Sequence, residues 1–284
     1  MLKHEITEIA PKTWCLSEFR LVNAFLLEGS EKAALIDTGC GIGHLAERVR
    51  ELTDKPLIIL LTHDHFDHTG GVFEFPDVPV YLHEADYCKM KETHEATFKV
   101  LKTDDYNVMR KFYITSRGPI RCPNLDQEEL VSLVPTEKTP SEFTCKPMKD
   151  GDIFDLGNRK LEVIHTPGHT DGEVSILDKK ERILFTGDTA NQGIILARQP
   201  NNDKKLIKIC NNTMKKLWDR ENEYDCLGVG HDAVTMDKHI IKDYYDLTEG
   251  LLNGTITGAY EETGFRKGDV ARLGLAELWY QCDQ

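Results

Sequence analysis

Residues 57–68 read LIILLTHDHFDH, and this stretch decides the fold. The apolar run Leu57–Leu61 predicts a buried β-strand, because a short apolar run followed by polar residues is typical of a strand that ends in a loop. Three histidines and one aspartate follow that run closely, namely His63, His65, Asp67 and His68. Imidazole nitrogens and carboxylate oxygens are ligands that zinc accepts, so the loop is a candidate metal site.

The same pattern, an apolar run followed by a loop with His or Asp, recurs four times along the chain. The runs are Ala33–Ile36, Leu161–Ile164, Arg182–Phe185 and Cys226–Val229. The residues in the loops that follow them include Asp37, His169, Asp188 and His231. Because open α/β sheets gather their ligands at the carboxyl ends of strands, we expect all five loops to form one convergent site.

Three helices are predicted, two between these strands and one after the last of them. They cover Gly43–Leu52, Lys204–Trp218 and about Lys238 to Leu252. The first two have an apolar stripe, and in the first the charged residues fill the opposite face, as expected for a helix that covers a sheet. Strands that alternate with helices predict a layered α/β fold, and we expect a single domain over residues 1–284.

Two segments do not follow this pattern. Residues 85–147 mix charged residues with aromatic ones and contain five prolines, which favours an insertion or cover over a core sheet. Its aromatic residues are expected to line a substrate pocket, to pack the segment down or to form a dimer interface. Residues 253–284 are interpreted as a C-terminal extension without an assigned role.

Charge and composition favour a small-molecule substrate. Asp and Glu outnumber Lys and Arg by 48 to 35, and the resulting formal charge of −13 disfavours nucleic acid and anionic membranes as partners. The eight cysteines are scattered, and no secretory signal or membrane-spanning run is apparent. We therefore expect a cytoplasmic protein with reduced thiols, and a homodimer remains open.

Five ordered motifs resemble those of the metallo-β-lactamase fold hydrolases, and the resemblance extends over most of residues 15–240. The motifs are the turn with Asp37, the run His63–His68, His169, Asp188 and His231. The resemblance implies a four-layer αββα sandwich in which residues 85–147 form an insertion between the two halves.

The resemblance also implies a site for two divalent metal ions. One ion would be held by His63, His65 and His169, and the other by Asp67, His68 and His231. Asp188 would bridge the two ions. Asp37 would orient a ligating imidazole without touching metal. Zinc is the expected metal, with manganese or iron as alternatives.

A bridging hydroxide is the nucleophile that such a site implies, and it would attack a small ester, thioester or lactone. Asp67 and Asp188 are the expected catalytic carboxylates. Relatives that cleave lactones and thioesters often carry a tyrosine three residues after the bridging aspartate, where this chain has Asn191. Asn191, Tyr106 and Tyr113 are therefore the candidates for contact with the substrate.

Two other functions are compatible with the same fold. A phosphodiesterase or nuclease would use the same pair of ions, and a basic channel would favour it. An oxidoreductase of the thiol dioxygenase type would hold a single iron. Metal identity separates this last function from the first two, because a fold alone does not determine activity.

Overall fold

A computed structural model of the chain describes residues 2–103, 105–139 and 143–282. Its first sheet has seven strands, hydrogen-bonded in chain order. They are β1 (Glu5–Ala10), β2 (Thr13–Glu18), β3 (Val22–Glu28), β4 (Ala33–Ile36), β5 (Leu57–Leu60), β6 (Val80–His83) and β7 (Lys146–Met148).

The second sheet has six strands and the third has four. The second contains β8 (Ile153–Asp155), β9 (Lys160–His165), β10 (Val174–Asp178), β11 (Ile183–Gly187), β13 (Cys226–Val229) and β14 (Thr235–Asp237), in the order β14-β13-β11-β10-β9-β8. The third contains β12 (Gly193–Ala197), β15 (Ala259–Thr263), β16 (Arg266–Leu273) and β17 (Ala276–Cys282), in the order β12-β17-β16-β15.

Helices connect and cover these sheets. They are α1 (Leu45–Arg50), α2 (Phe66–Thr69), α3 (Glu84–Leu101), α4 (Tyr106–Arg121), α5 (Gln127–Ser132), α6 (Lys205–Trp218) and α7 (His239–Asn253). Short 3-10 turns occur at Val72–Glu74, Pro200–Asn202 and Glu221–Glu223. Within the described residues, no helix has both the length and the apolar character needed to cross a membrane.

The two large sheets pack face to face. Side chains alternate between the two faces of a strand, so Phe25 and Leu27 of β3 point into the space between the sheets. There they meet Ile183 and Phe185 of β11, and the rings of Phe25 and Phe185 lie 4.9 Å apart. The intervening residues of the same strands point outward, which leaves each sheet a second apolar face.

Helices cover both outward faces. Leu45 and Val49 of α1 pack on the outer face of the seven-stranded sheet. Ile207 of α6 and Tyr244 of α7 pack on the outer face of the six-stranded sheet. The order of layers is helix, sheet, sheet, helix, and the expected αββα sandwich is confirmed.

The predicted strands and helices are confirmed with small shifts at their ends. Ala33–Ile36 and Cys226–Val229 coincide with β4 and β13, and Lys204–Trp218 differs from α6 by one residue. The segment 85–147, expected to be an insertion or cover, contains nearly all of α3 and the whole of α4 and α5. The last two residues of this segment, Lys146 and Pro147, belong to β7, which pairs with β6.

Most of the C-terminal residues, interpreted from the sequence as an extension without an assigned role, belong to the third sheet. β15, β16 and β17 form an antiparallel meander, and β17 pairs in parallel with β12, where Gly193 lies opposite Glu277. Trp279 of β17 is fully buried, so these strands contribute packing as well as hydrogen bonds. The turn between β15 and β16 lies beside the cavity described below.

Candidate active site

Parallel strands bring the candidate residues to one edge of the sandwich. β4 runs parallel to β5, and β11 runs parallel to β13. β9 has the same direction as β11, because both pair antiparallel with β10. The carboxyl ends of these five strands lead to Asp37, to residues 63–68, and to His169, Asp188 and His231. The sandwich thus brings the predicted site residues together.

Three histidines form the first group of potential metal ligands. His63, His65 and His169 offer nitrogen atoms that all lie within 4.8 Å of one another. His65 Nδ1 is 3.0 Å from His169 Nε2, and the ring of His63 lies 4.7 Å from the ring of His65. Three imidazoles around a common centre are a common arrangement for a protein zinc site.

A second group combines one carboxylate with two imidazoles. Asp67, His68 and His231 also offer ligand atoms within 4.8 Å of one another. His231 Nε2 is 3.3 Å from Asp67 Oδ2. Asp67 and His68 belong to α2, which begins directly after the strand-end loop and brings both side chains to the same cluster.

Asp188 lies between the two groups. Its Oδ2 is 3.6 Å from Nε2 of His169, which belongs to the first group. Its Oδ1 is 3.6 Å from His68 Nε2 and 3.3 Å from His231 Nε2, which belong to the second group. The two oxygens of one carboxylate therefore face different groups of potential ligands.

Hydrogen bonds on the far side of three imidazoles fix their orientation. His68 Nδ1 pairs with Asp37 Oδ2 at 2.8 Å. His169 Nδ1 and His231 Nδ1 each donate to a backbone carbonyl at 2.7 Å, those of Ile195 and Leu21 respectively. Bonds of this kind leave Nε2 directed at the cluster, as is usual for metal-binding histidines.

Two buried nitrogen atoms fit a metal site. Nε2 of His63 and Nε2 of His68 are buried and have no hydrogen-bond partner among the described residues. A buried polar atom without a partner costs about 1–3 kcal/mol. A coordinated metal ion would satisfy both atoms, and the donor set of imidazoles and carboxylates suits zinc.

The electrostatics of the cluster favour neutral imidazoles in the first group. Burial lowers the pKa of His65 to about 3 and holds the pKa of His63 well below its usual value, and neighbouring imidazoles add to both effects. For His68, burial acts in the same direction, but the Asp37 carboxylate outweighs it and raises the pKa to about 10. Neutral imidazole is the form that binds metal, so the first group is ready to do so.

Asp37 has an unusual backbone conformation. Its φ is +59°, in the left-handed region that residues other than glycine seldom adopt. Its carboxylate accepts hydrogen bonds from the Thr62 backbone amide at 2.7 Å and from the Thr62 hydroxyl at 2.8 Å, in addition to its contact with His68. Strain of this kind persists where surrounding contacts fix the residue.

A cavity of about 350 Å³ opens onto the cluster. Asn191 and Tyr113 line it, whereas Tyr106 does not; the Tyr106 ring is buried against Phe66 and Arg110. Asn191 donates to Asp188 Oδ1 at 3.1 Å, and the Tyr113 hydroxyl donates to Asp67 Oδ2 at 2.6 Å. Two of the three candidate substrate contacts therefore reach the cavity.

Sequence reasoning missed several residues of the site. Glu173 is fully buried; its Oε1 lies 3.8 Å from His63 Nδ1 and accepts the Asp188 backbone amide at 2.8 Å. The only feature of the sequence that could have indicated Glu173 is its position directly before the buried strand β10. The cavity is also lined by residues of α4, of the turn before β16 and of β16 itself, namely Arg117, Arg121, Phe265, Arg266 and Lys267.

Comparisons with known proteins agree with this arrangement. The acyl-coenzyme A thioesterase MBLAC2 of Bos taurus is 32% identical over 186 residues, which are 61% of this chain and 60% of that protein. The match therefore spans less than two thirds of that relative. The hydroxyacylglutathione hydrolase GloC of Haemophilus influenzae is 27% identical over 172 residues, 60% of this chain and 68% of that protein.

A solved structure and a family profile extend the comparison to most of the chain. The metallo-beta-lactamase from Pontibacter korlensis has the same fold, with a TM-score of 0.57 and 18% identity over 87% of this chain and 99% of that one. The profile of the metallo-beta-lactamase superfamily matches residues 18–246. The chain belongs to the metallo-beta-lactamase superfamily.

Proposed function

We propose that this protein is a metal-dependent hydrolase of small thioesters, esters or lactones, with thioesters as the preferred class. The observation that carries the proposal is the position of Asp188 between two complete groups of ligand atoms. His63, His65 and His169 would hold one ion. Asp67, His68 and His231 would hold the other, and Asp188 would contact both. Zinc fits this donor set.

Bound divalent ions supply Lewis acidity, which lowers the pKa of water and polarises a carbonyl oxygen. The protein's own groups do the positioning. Asp67 lines the cavity, where its carboxylate can accept a hydrogen bond from an attacking water, and the Tyr113 hydroxyl fixes that carboxylate by a hydrogen bond. Asn191 holds Asp188 in place through its side-chain amide.

The overall reaction is a hydrolysis. The oxygen of water forms a bond with the acyl carbon, the carbon–sulfur bond breaks, and the thiol leaves with a proton from that water. The other product is a carboxylic acid. Two relatives support the thioester class by name, since one is an acyl-coenzyme A thioesterase and the other a hydroxyacylglutathione hydrolase.

A phosphodiesterase is the second candidate, because positively charged residues line the cavity. Phosphoryl transfer uses the same pair of ions, and cationic side chains bind phosphate well. The single-iron dioxygenase has less support, since the second group of ligand atoms would then have no function.

Elemental analysis of protein purified without added metal is the first test. We expect near two equivalents of zinc per chain, and about one equivalent of iron would overturn the proposal in favour of the oxidoreductase. A panel of thioesters, esters, lactones and bis(p-nitrophenyl) phosphate then identifies the bond that is cleaved. Turnover of the phosphodiester alone would replace the first candidate with the second.

We also propose a reducing, cytoplasmic setting, in line with the scattered cysteines. Cys15, Cys40 and Cys210 are buried, and burial raises the pKa of Cys15 and Cys210 to about 12, so these thiols resist oxidation. A homodimer stays a proposal that sedimentation would test.

A further inference from the structure

Five cationic side chains line the outer part of the cavity or the second cavity next to it, and we call them the cationic rim. They are Arg20, Arg117, Arg121, Arg266 and Lys267. Arg117 and Arg121 lie one turn apart on α4, whereas Arg266 and Lys267 begin β16. Two elements far apart in sequence thus place positive charge at one opening of a chain whose net charge is −13.

Carboxylates of the protein neutralise only part of the rim. Arg121 lies 3.4 Å from Asp232, and Arg266 lies 3.0 Å from Glu277. Lys267 lies 3.1 Å from Glu262 at the surface. Within the described part of the chain, neither Arg20 nor Arg117 forms an ion pair with an acidic residue. The rim therefore keeps an excess of positive charge.

The guanidinium groups of the rim pack against one aromatic ring, and two of their buried nitrogen atoms lack hydrogen-bond partners. Nε of Arg121 and Nε of Arg266 have no hydrogen-bond partner among the described residues. The ring of Phe265 lies 3.7 Å from the Arg117 guanidinium carbon, 5.7 Å from that of Arg121 and 5.4 Å from that of Arg266. Cation–π contacts with one ring gather three positive charges that would otherwise repel one another.

A second cavity continues the first beyond this ring. It measures about 370 Å³ and shares Arg121, Phe265 and Arg266 with the cavity at the ligand cluster. Arg20 lines this second cavity but not the first. A substrate whose reacting carbon lies at the cluster can therefore extend past Phe265 into a second, positively charged space.

We infer that the thiol part of the substrate carries phosphate groups, and that Arg117, Arg121 and Arg266 bind them where the two cavities meet. This inference rests on the proposed thioester hydrolysis. A guanidinium group donates two parallel hydrogen bonds to phosphate, and several phosphate charges match the rim better than a single carboxylate does. Acyl thioesters of coenzyme A have this chemistry.

Three thioesters with the same octanoyl group test the inference. Their thiol parts are coenzyme A, which carries phosphates, glutathione, which carries carboxylates, and N-acetylcysteamine, which has no charge. We expect kcat/KM at least 10-fold higher for the coenzyme A ester than for either of the others. Equal values for all three, or a preference for the glutathione ester, would overturn the inference.

The variant Arg117→Gln links that preference to the rim. We expect the ratio of kcat/KM for the coenzyme A ester to kcat/KM for the N-acetylcysteamine ester to fall at least 10-fold. Arg182→Gln is the matched control, because Arg182 is exposed and precedes β11, at the edge opposite Asp188. An unchanged ratio in Arg117→Gln, with a folded protein, counts against the inference.

Binding of desulfo-coenzyme A, measured by calorimetry, separates this inference from the proposed function. The compound has no thiol and no ester, so its binding does not depend on hydrolysis. Binding that weakens at least 10-fold in Arg117→Gln supports phosphate recognition even if no thioester is cleaved, in which case only the proposed function fails. Absence of binding to the wild-type protein overturns the inference.

Discussion

The Tyr113 hydroxyl donates a 2.6 Å hydrogen bond to the Asp67 carboxylate, which links helix α4 to the ligand cluster. Asp67 also lies 3.3 Å from His231 Nε2, so its Oδ2 has contacts on two sides. Tyr113 thus brings a phenol to the cavity that Asn191 also lines. The segment 85–147 contributes to the site as well as to packing.

Tyr113→Phe should lower kcat/KM by about 10- to 100-fold, because a hydrogen bond to a charged group contributes about 1.5–3 kcal/mol. Metal content should stay unchanged, since the tyrosine is not among the ligand groups. Tyr106→Phe is the matched control, because Tyr106 does not line the cavity. Steady-state kinetics and elemental analysis measure both effects, and equal rates for the two variants would contradict the role given to Tyr113.

Asp37→Asn should weaken metal binding by about 10- to 100-fold, as loss of a hydrogen bond behind a ligating imidazole generally does. The Asp37 carboxylate orients His68 and is held by Thr62, so the amide changes the orientation and leaves the fold intact. Competition with a chromogenic chelator measures the affinity. The exposed Asp54→Asn serves as control, and equal affinity in both variants would argue against a positioning role.

Metal removal should lower the thermal stability of the wild-type protein. A ligand at 100 times its Kd stabilises the folded state by about 2.7 kcal/mol, which corresponds to a fall in Tm of about 5–10 °C on chelation for a chain of this size. His65→Ala and Asp188→Ala should have low metal content and no activity, should stay folded, and should respond less to chelator. His239→Ala, an exposed histidine outside the cluster, should respond like the wild type. Full activity in either cluster variant would refute the assigned ligands.

His4 gives the fold a dependence on pH that is independent of the cluster. Burial, with a smaller contribution from Arg48, lowers its pKa to about 4. The unfolded chain binds this proton near pH 6.5, so the stability that neutral His4 contributes is present above about pH 6.5 and is lost as the pH falls towards 4. The loss is at most about 3 kcal/mol.

Urea unfolding of metal-free wild-type protein and metal-free His4→Phe between pH 7 and pH 4 measures this effect. As the pH falls, the free energy of unfolding of the wild type should decrease relative to that of His4→Phe. Effects of the other histidines are common to both proteins and cancel in this comparison. Parallel curves over this range would show that His4 does not titrate as described.

Local sequence patterns predicted the ligand cluster and the layered architecture, because both depend on short-range signals. An apolar run that ends in His63 and His65 is visible without coordinates, and so is the helical stripe of α6. The third sheet could not be predicted in this way. Its pairing joins Gly193 to Glu277, which are far apart in sequence, and the largely exposed strand β15 has no apolar run that would predict it.

The residues around the cavity escaped prediction for a related reason. Arg117 and Arg121 occupy a helix face of mixed composition, and nothing in their neighbourhood shows that Phe265 lies against them. Glu173 is one acid among 48 in the sequence, and its place beside His63 appears only in the folded structure. Recognition of such residues requires contacts between distant parts of the chain.

The turn between β15 and β16 suggests how a new specificity could be engineered. Its residues border the cavity, yet the strands it joins contribute no side chain to the ligand groups. Exchange of Gly264–Lys267 between related enzymes would alter the recognition of the leaving thiol while the cluster that activates water stays as it is. Natural or laboratory selection could therefore change the substrate specificity through this turn without altering the residues that activate water.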